Sequence, residues 1–154
     1  MKIISHRGNL EGPDSSLENR IDQIEKCINL GFDVECDLRY VNNEYLLGHD
    51  EGLYSIGIND LIEFSDCLWI HCKNIELLER LSSINNSNQF NFFWHQTDFY
   101  TLTSKGFIWS YPGNKVTENC INVMPEMTMN KNHIRELRSS NLFGVCTDYP
   151  TFLV

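Results

Sequence analysis

The sequence predicts an α/β protein whose parallel sheet curls toward a barrel, and three observations carry that prediction. Short apolar runs with strand periodicity alternate with short stretches of helical spacing along the chain. Ionisable and amide residues gather at the C-terminal ends of the candidate strands: His6-Arg7, Glu35 and Asp37, His71 and Lys73, His95-Gln96, and Asp148. A (β/α) barrel keeps its active site at that end. Finally, no G-x-G-x-x-G and no P-loop occurs, so a dinucleotide or NTP fold has no support. No internal repeat or boundary divides the 154 residues, which read as one domain over 1–154.

Residues 2–5 form the first strand and run into His6-Arg7-Gly8, where the glycine permits a sharp departure. Asp14, Ser15 and Ser16 are capable N-caps, so a helix is expected from there to about residue 30, with Leu17, Ile21, Ile24 and Ile28 on one face and Gly31 as its stop. Residues 32–41 form the second strand. A short helix is expected over 58–64, a third strand over 67–73 and another helix over 75–84. Residues 85–87 read as a polar linker, 90–96 as a fourth strand and 97–105 as a very short helix or turn. Strands at 107–111, 120–124 and 143–147 follow, with a helix at 133–139 before the last.

The second strand carries the chemistry. Val34, Cys36 and Leu38 alternate with Glu35, Asp37 and Arg39. Glu35 and Asp37 therefore share a face, roughly 6.6 Å apart along the strand. Two carboxylates side by side repel at neutral pH, and a divalent cation between them removes that cost. Asn42-Asn43-Glu44 reads as a turn into a return strand at 45–47, which would place His49 roughly opposite Asp37. A histidine beside a metal suits proton transfer.

Composition narrows the partners. A formal net charge of -9 argues against a nucleic-acid or anionic-membrane surface. Any phosphate ligand would need local positive charge from a metal, Arg or Lys. Residues 1–6 lack the apolar core of a signal peptide, and no run approaches the roughly 18 apolar residues of a membrane span. The cysteines at 27, 36, 67, 72, 120 and 146 form no C-x-x-C pair and read as small core residues. A reduced, cytoplasmic protein without membrane insertion is expected.

Taken in order, His6-Arg7-Gly8, Leu17-Glu18-Asn19, Glu35-x-Asp37, His49-Asp50, Lys73 and Thr147-Asp148-x-Pro150 resemble the glycerophosphodiester phosphodiesterase family, within the phosphatidylinositol-phospholipase-C-like barrel superfamily. The resemblance implies a TIM-type (β/α) barrel, here reduced to about seven or eight strands with helices short or missing. It implies hydrolysis of a small phosphodiester, glycerophosphodiester-like, to an alcohol and a phosphomonoester. His6 and His49 would be the catalytic acid/base pair, Glu35 and Asp37 metal ligands, and Arg7 and Lys73 the phosphate-binding cations. Glu18 and Asp148 would support the site.

The chain departs from the family pattern in places. The third strand usually reads Glu-x-Lys, with that Glu on the metal; here it reads His71-Cys72-Lys73. His71 as third ligand would shift preference from Mg²⁺ or Ca²⁺ toward Mn²⁺ or Zn²⁺; Glu126 or water are the alternatives. The length is also well below the roughly 250 residues of a full barrel. A trimmed barrel exposes apolar surface that a homodimer would cover. His95 reads as structural or substrate-side, and Trp94, Trp109 and Tyr111 as core or as a wall for a sugar or alcohol. Two further functions stay open: a metal-dependent lyase or isomerase on a phosphorylated sugar, and a non-catalytic barrel that binds a phospho-ligand.

Overall fold

The computed structural model describes residues 1–84 and 88–154, so the linker expected at 85–87 lies outside the described residues. In chain order the strands are β1 (Lys2–His6), β2 (Asp33–Val41), β3 (Glu44–Leu47), β4 (Tyr54–Ile56), β5 (Leu68–Cys72), β6 (Asn91–Phe93), β7 (Tyr100–Leu102), β8 (Ile108–Ser110), β9 (Cys120–Val123) and β10 (Gly144–Thr147). The α-helices are α1 (Ile21–Asn29), α2 (Ile58–Glu63) and α3 (Ile75–Ile84), and 3-10 helices span Pro125–Met127, Lys131–Ser139 and Pro150–Leu153.

Parallel pairing runs β6-β5-β2-β1-β10-β9-β8. The antiparallel hairpin β3-β4 extends the second half of β2, and β7 returns antiparallel along β8. Among the described residues no backbone ladder joins β6 to β7 or β8, so the sheet is a curled, open half-barrel rather than a closed ring. The seam is bridged by other means. Ser104 N donates to Phe92 O (2.8 Å), Thr101 Oγ1 donates to Trp94 O (2.8 Å), and the Phe93 and Trp109 rings lie 4.6 Å apart. The segment between β6 and β8 holds the short β7 where a full barrel would place a helix and another strand.

Strand alternation divides the interior into two cores. Val34, Cys36, Leu38, Ile70 and Cys72 face outward onto Ile24, Cys27, Leu61, Leu77 and Leu81 of the helices. On the inward side Ile4, Trp69, Phe93, Trp109, Ile121, Val123 and Cys146 fill the curl. Below them Asp33 accepts from Lys2 Nζ (3.0 Å) and Trp69 Nε1 (2.9 Å), closing the N-terminal end. This apolar plug forms the floor on which the polar residues at the strand C-termini stand. All six cysteines are free thiols. No helix among the described residues is long and apolar enough to cross a membrane.

Several local expectations need correction. The first helix begins at Ile21 rather than near Asp14. Asp14 does bond Ser16 N and Oγ, but Asn19 adopts φ +61 and is drawn inward, which no helix interior allows. Residues 97–105 contain strand β7, the 131–139 segment is 3-10 rather than α-helical, and β4 was not foreseen.

Candidate functional site

The first strand ends in a backbone contortion that aims its polar residues. Arg7 adopts φ +53, a left-handed conformation costly for a residue that carries a Cβ, and Gly8 follows at φ +85. A Cβ on Gly8 would meet Gln23 Cγ at 3.2 Å, so the turn requires glycine on both counts. Arg7 N still continues the strand pairing to Glu35 O (2.9 Å), so His6 and Arg7 are fixed to β2. Backbone strain that persists at a cleft residue points toward function.

Glu35 and Asp37 both face inward from β2 and are buried. Asp37 is enclosed by nitrogen: Arg7 Nε at 3.0 Å and Asn19 Nδ2 at 3.2 Å on one oxygen, His71 Nδ1 at 3.1 Å and Lys73 Nζ at 3.4 Å on the other. Burial opposes its charge, but the His71 hydrogen bond, Arg7 and Lys73 outweigh burial and hold it below the usual carboxylate range. Glu35 goes the other way: burial and the neighbouring Asp37 raise it.

His71 decides what this cluster can hold. Its Nε2 lies 3.0 Å from His95 O, and a carbonyl can only accept, so Nε2 carries the hydrogen. Nδ1 then faces Asp37 at 3.1 Å and Glu35 Oε1 at 3.8 Å. A neutral ring would direct its lone pair at two carboxylates. Only a proton or a cation on that side relieves the repulsion. A histidine whose second nitrogen is fixed by a carbonyl is the usual arrangement of a metal ligand. Ligand atoms of Glu35, Asp37 and His71 all lie within 4.8 Å of one another, so the three residues can hold a metal ion.

Charge counting leads to the same place. Glu18, Glu35, Asp37 and Asp148 bring four negative charges, and Arg7 and Lys73 bring two positive ones. Two negative charges remain, which one divalent cation or two imidazolium protons would balance.

His6 is held at both nitrogens: Nδ1 meets Asp148 Oδ1 at 2.7 Å, and Nε2 points toward Glu35 Oε2 at 3.9 Å. Burial lowers its proton affinity, but the Asp148 hydrogen bond and the charge of Glu35 outweigh burial and raise it. Asp148 is itself held below its ordinary range, against burial, chiefly by His6. Asn9 Nδ2 bridges Asp148 (2.8 Å) to Glu18 (3.0 Å), and Glu18 accepts from Arg7 Nη1 (3.2 Å).

His49 sits at the rim. The backbone places Gly48, one residue short of His49, against Asp37, with Gly48 N donating to Asp37 O at 3.0 Å. The His49 ring pairs with Asp50 at 2.8 Å and stays 39% exposed. Arg39 clamps its loop by donating to Gly48 O and His49 O. His49 shares a cleft of about 270 Å³ with His6, Arg7, Glu35, His71 and Lys73.

Glu126 is half-buried and stands outside the Glu35, Asp37 and His71 cluster. It accepts from Thr147 Oγ1 (2.9 Å) and Asp148 N (2.8 Å) and so fixes the strand end that presents Asp148. Asn9 and Asn19 are buried site residues to which the sequence assigned no role. Asn19 stands beside Glu18 in a motif already noted, whereas Asn9 gives no signal beyond following Gly8.

These groups fix the pH response of the metal-free protein. Raised His6 contributes stability that is present below about pH 6.5 and lost as pH rises through its folded value. Raised Glu35 adds to the loss, because its ionisation costs more folded than unfolded. Depressed Asp37 and Asp148 lose their contribution only in acid. Melting with EDTA is therefore expected to be lower at pH 8 than at pH 6. Mn²⁺ at 100 times its Kd should add about 2.7 kcal/mol. At one fixed Mn²⁺ concentration the gain should be larger at pH 8, where protons no longer compete for the ligands. Melting curves unmoved by both pH and metal would contradict the arrangement.

Comparison with models of known protein families, with curated proteins and with solved structures finds no match to this chain.

Proposed function

We propose that this cleft cleaves a small phosphodiester to an alcohol and a phosphomonoester with the help of one divalent cation. The observation that carries the reading is the meeting, in one cleft, of the His6–Asp148 pair with a three-ligand cluster and two cations. The motif order that resembles glycerophosphodiester phosphodiesterases supports the same chemistry.

Glu35, Asp37 and His71 would hold the cation, and the fixed tautomer of His71 fits that role. Two carboxylates suit Mg²⁺ or Ca²⁺, while the imidazole favours Mn²⁺ or Zn²⁺. When bound, the cation supplies Lewis-acid polarisation of the phosphoryl group and neutralises charge. Arg7 and Lys73 lie where they can share their charge between Asp37 and a substrate phosphate. His6, oriented by Asp148, takes the proton from the attacking water. As the new P–O bond forms, the bond to the leaving alcohol breaks. His49 at the open rim donates the proton that the departing alkoxide needs.

A phospho-ligand-binding barrel without catalysis is the second reading. Arg7, Lys73 and His71 crowd Asp37, so its charge is met without a metal. One experiment separates the two. Bis(p-nitrophenyl) phosphate and glycerophosphodiesters are incubated with the protein in EDTA, then with Mg²⁺, Ca²⁺, Mn²⁺ or Zn²⁺. Metal-dependent release of phosphomonoester, lost in Glu35→Gln, is the expected result. No turnover, together with no metal uptake by calorimetry, would establish the binding reading. Ring-closed or isomerised products would point instead to a lyase or isomerase.

A further inference from the structure

The same cleft is lined by rings that the reaction above does not use. His95 follows β6, and its carbonyl is occupied by His71 Nε2. Both of its ring nitrogens are buried and have no hydrogen-bond partner. Buried polar groups in folded proteins are nearly always paired, and an exception calls for an explanation. Here the ring belongs to the lining of the cleft, beside Gln96 and Tyr111, in company with His6, Arg7 and Glu35. The Tyr111 ring lies 4.5 Å from that of His95, tilted by 37°, and Tyr111 remains 41% exposed. Phe93 stacks on His71 at 5.1 Å and fixes the floor between the two histidines.

The chemistry of this wall is specific. A neutral imidazole presents one N–H and one lone pair, and a carboxamide likewise presents both a donor and an acceptor. A phosphate oxygen at neutral pH only accepts and satisfies half of such a pair. A hydroxyl group donates and accepts, and so satisfies both. An exposed aromatic face beside these groups offers a surface to the C–H side of a ring. An acyl chain would leave His95 and Gln96 unpaired, which disfavours it.

We infer that His95, Gln96 and Tyr111 form a subsite for a sugar ring carried on the phosphate, with His95 hydrogen-bonding its hydroxyls. This rests on the phosphate-handling reading of the cleft. It does not rest on turnover.

Calorimetric titration of the whole protein with glucose 1-phosphate, glycerol 3-phosphate and inorganic phosphate tests it. Glucose 1-phosphate is expected to bind about tenfold more tightly than inorganic phosphate, the difference one or two satisfied buried groups provide. His95→Phe keeps the ring and removes both nitrogens. It should lose that tenfold while leaving the affinity for inorganic phosphate unchanged. His95→Gln, which restores a donor and an acceptor, should recover part of it and serves if the Phe variant fails to fold. Equal binding of all three probes would overturn the inference, as would undiminished glucose 1-phosphate binding in His95→Phe. Because the probes are monoesters, absent phosphodiester turnover would sink the catalytic reading while leaving this result standing.

Discussion

Asp37→Ala is expected to weaken the fold by about 3–5 kcal/mol and to abolish uptake of divalent cations. Asp37 is fully buried, and Arg7, His71 and Lys73 all converge on it within 3.4 Å. Removing its charge strands the Arg7 and Lys73 cations together at the mouth of an apolar core. The loss exceeds the worth of any single ion pair, because the uncompensated partners stay behind. Asp37→Asn separates charge from shape. Its backbone N–H still donates to Asn19 Oδ1, so the loop that holds Asn19 and Glu18 keeps its anchor. The Asn variant should therefore fold, with a smaller loss in urea denaturation, yet bind Mn²⁺ on the order of 100-fold more weakly, since affinity follows ligand charge. If Asp37→Ala proved within 1 kcal/mol of the parent protein, the convergence would carry little energy and the metal reading would lose its centre.

The part of this site that lies on β2 was legible because a strand imposes a period of two. Glu35 and Asp37 must share a face wherever the strand lies, and Cys36 must face away, as it does. Lys73 and His71 followed by the same rule from β5. The pairing of His6 with Asp148 spans 142 residues and depends on β1 lying beside β10. No spacing predicts that; only the barrel order does. Glu126, a candidate third ligand by sequence, instead holds Thr147 and Asp148, 21 and 22 residues on, which no local pattern shows. The first helix failed differently. Asp14 has the propensity of an N-cap and uses it on Ser16, but Asn19 is committed to Asp37, and tertiary demand outweighs local preference. Openness of the sheet was beyond reach, since counting strands does not show whether the fourth expected strand pairs with the fifth. The short β7 takes the place where the ring would have closed.

His6→Ala should lower turnover by roughly 10² to 10⁴-fold, the usual contribution of a positioned acid or base. Its stability should change less, because Asn9 Nδ2 still donates to the Asp148 oxygen that His6 leaves. Asp148→Asn makes the sharper test. The ring of His6 keeps its place between β1 and β2, but loses the carboxylate that receives its Nδ1 hydrogen. If His6 acts as the base, activity must rise with pH as His6 gives up its proton. The hydrogen bond to Asp148 delays that step by raising the His6 pKa against burial. In Asp148→Asn the acidic limb of kcat/KM should therefore move to lower pH while the plateau falls. A merely structural Asp148 would lower the plateau and leave the limb where it was. If His6 works as the acid instead, the basic limb should move to lower pH while the acidic limb stays, and the proton the nucleophile gives up goes to His49.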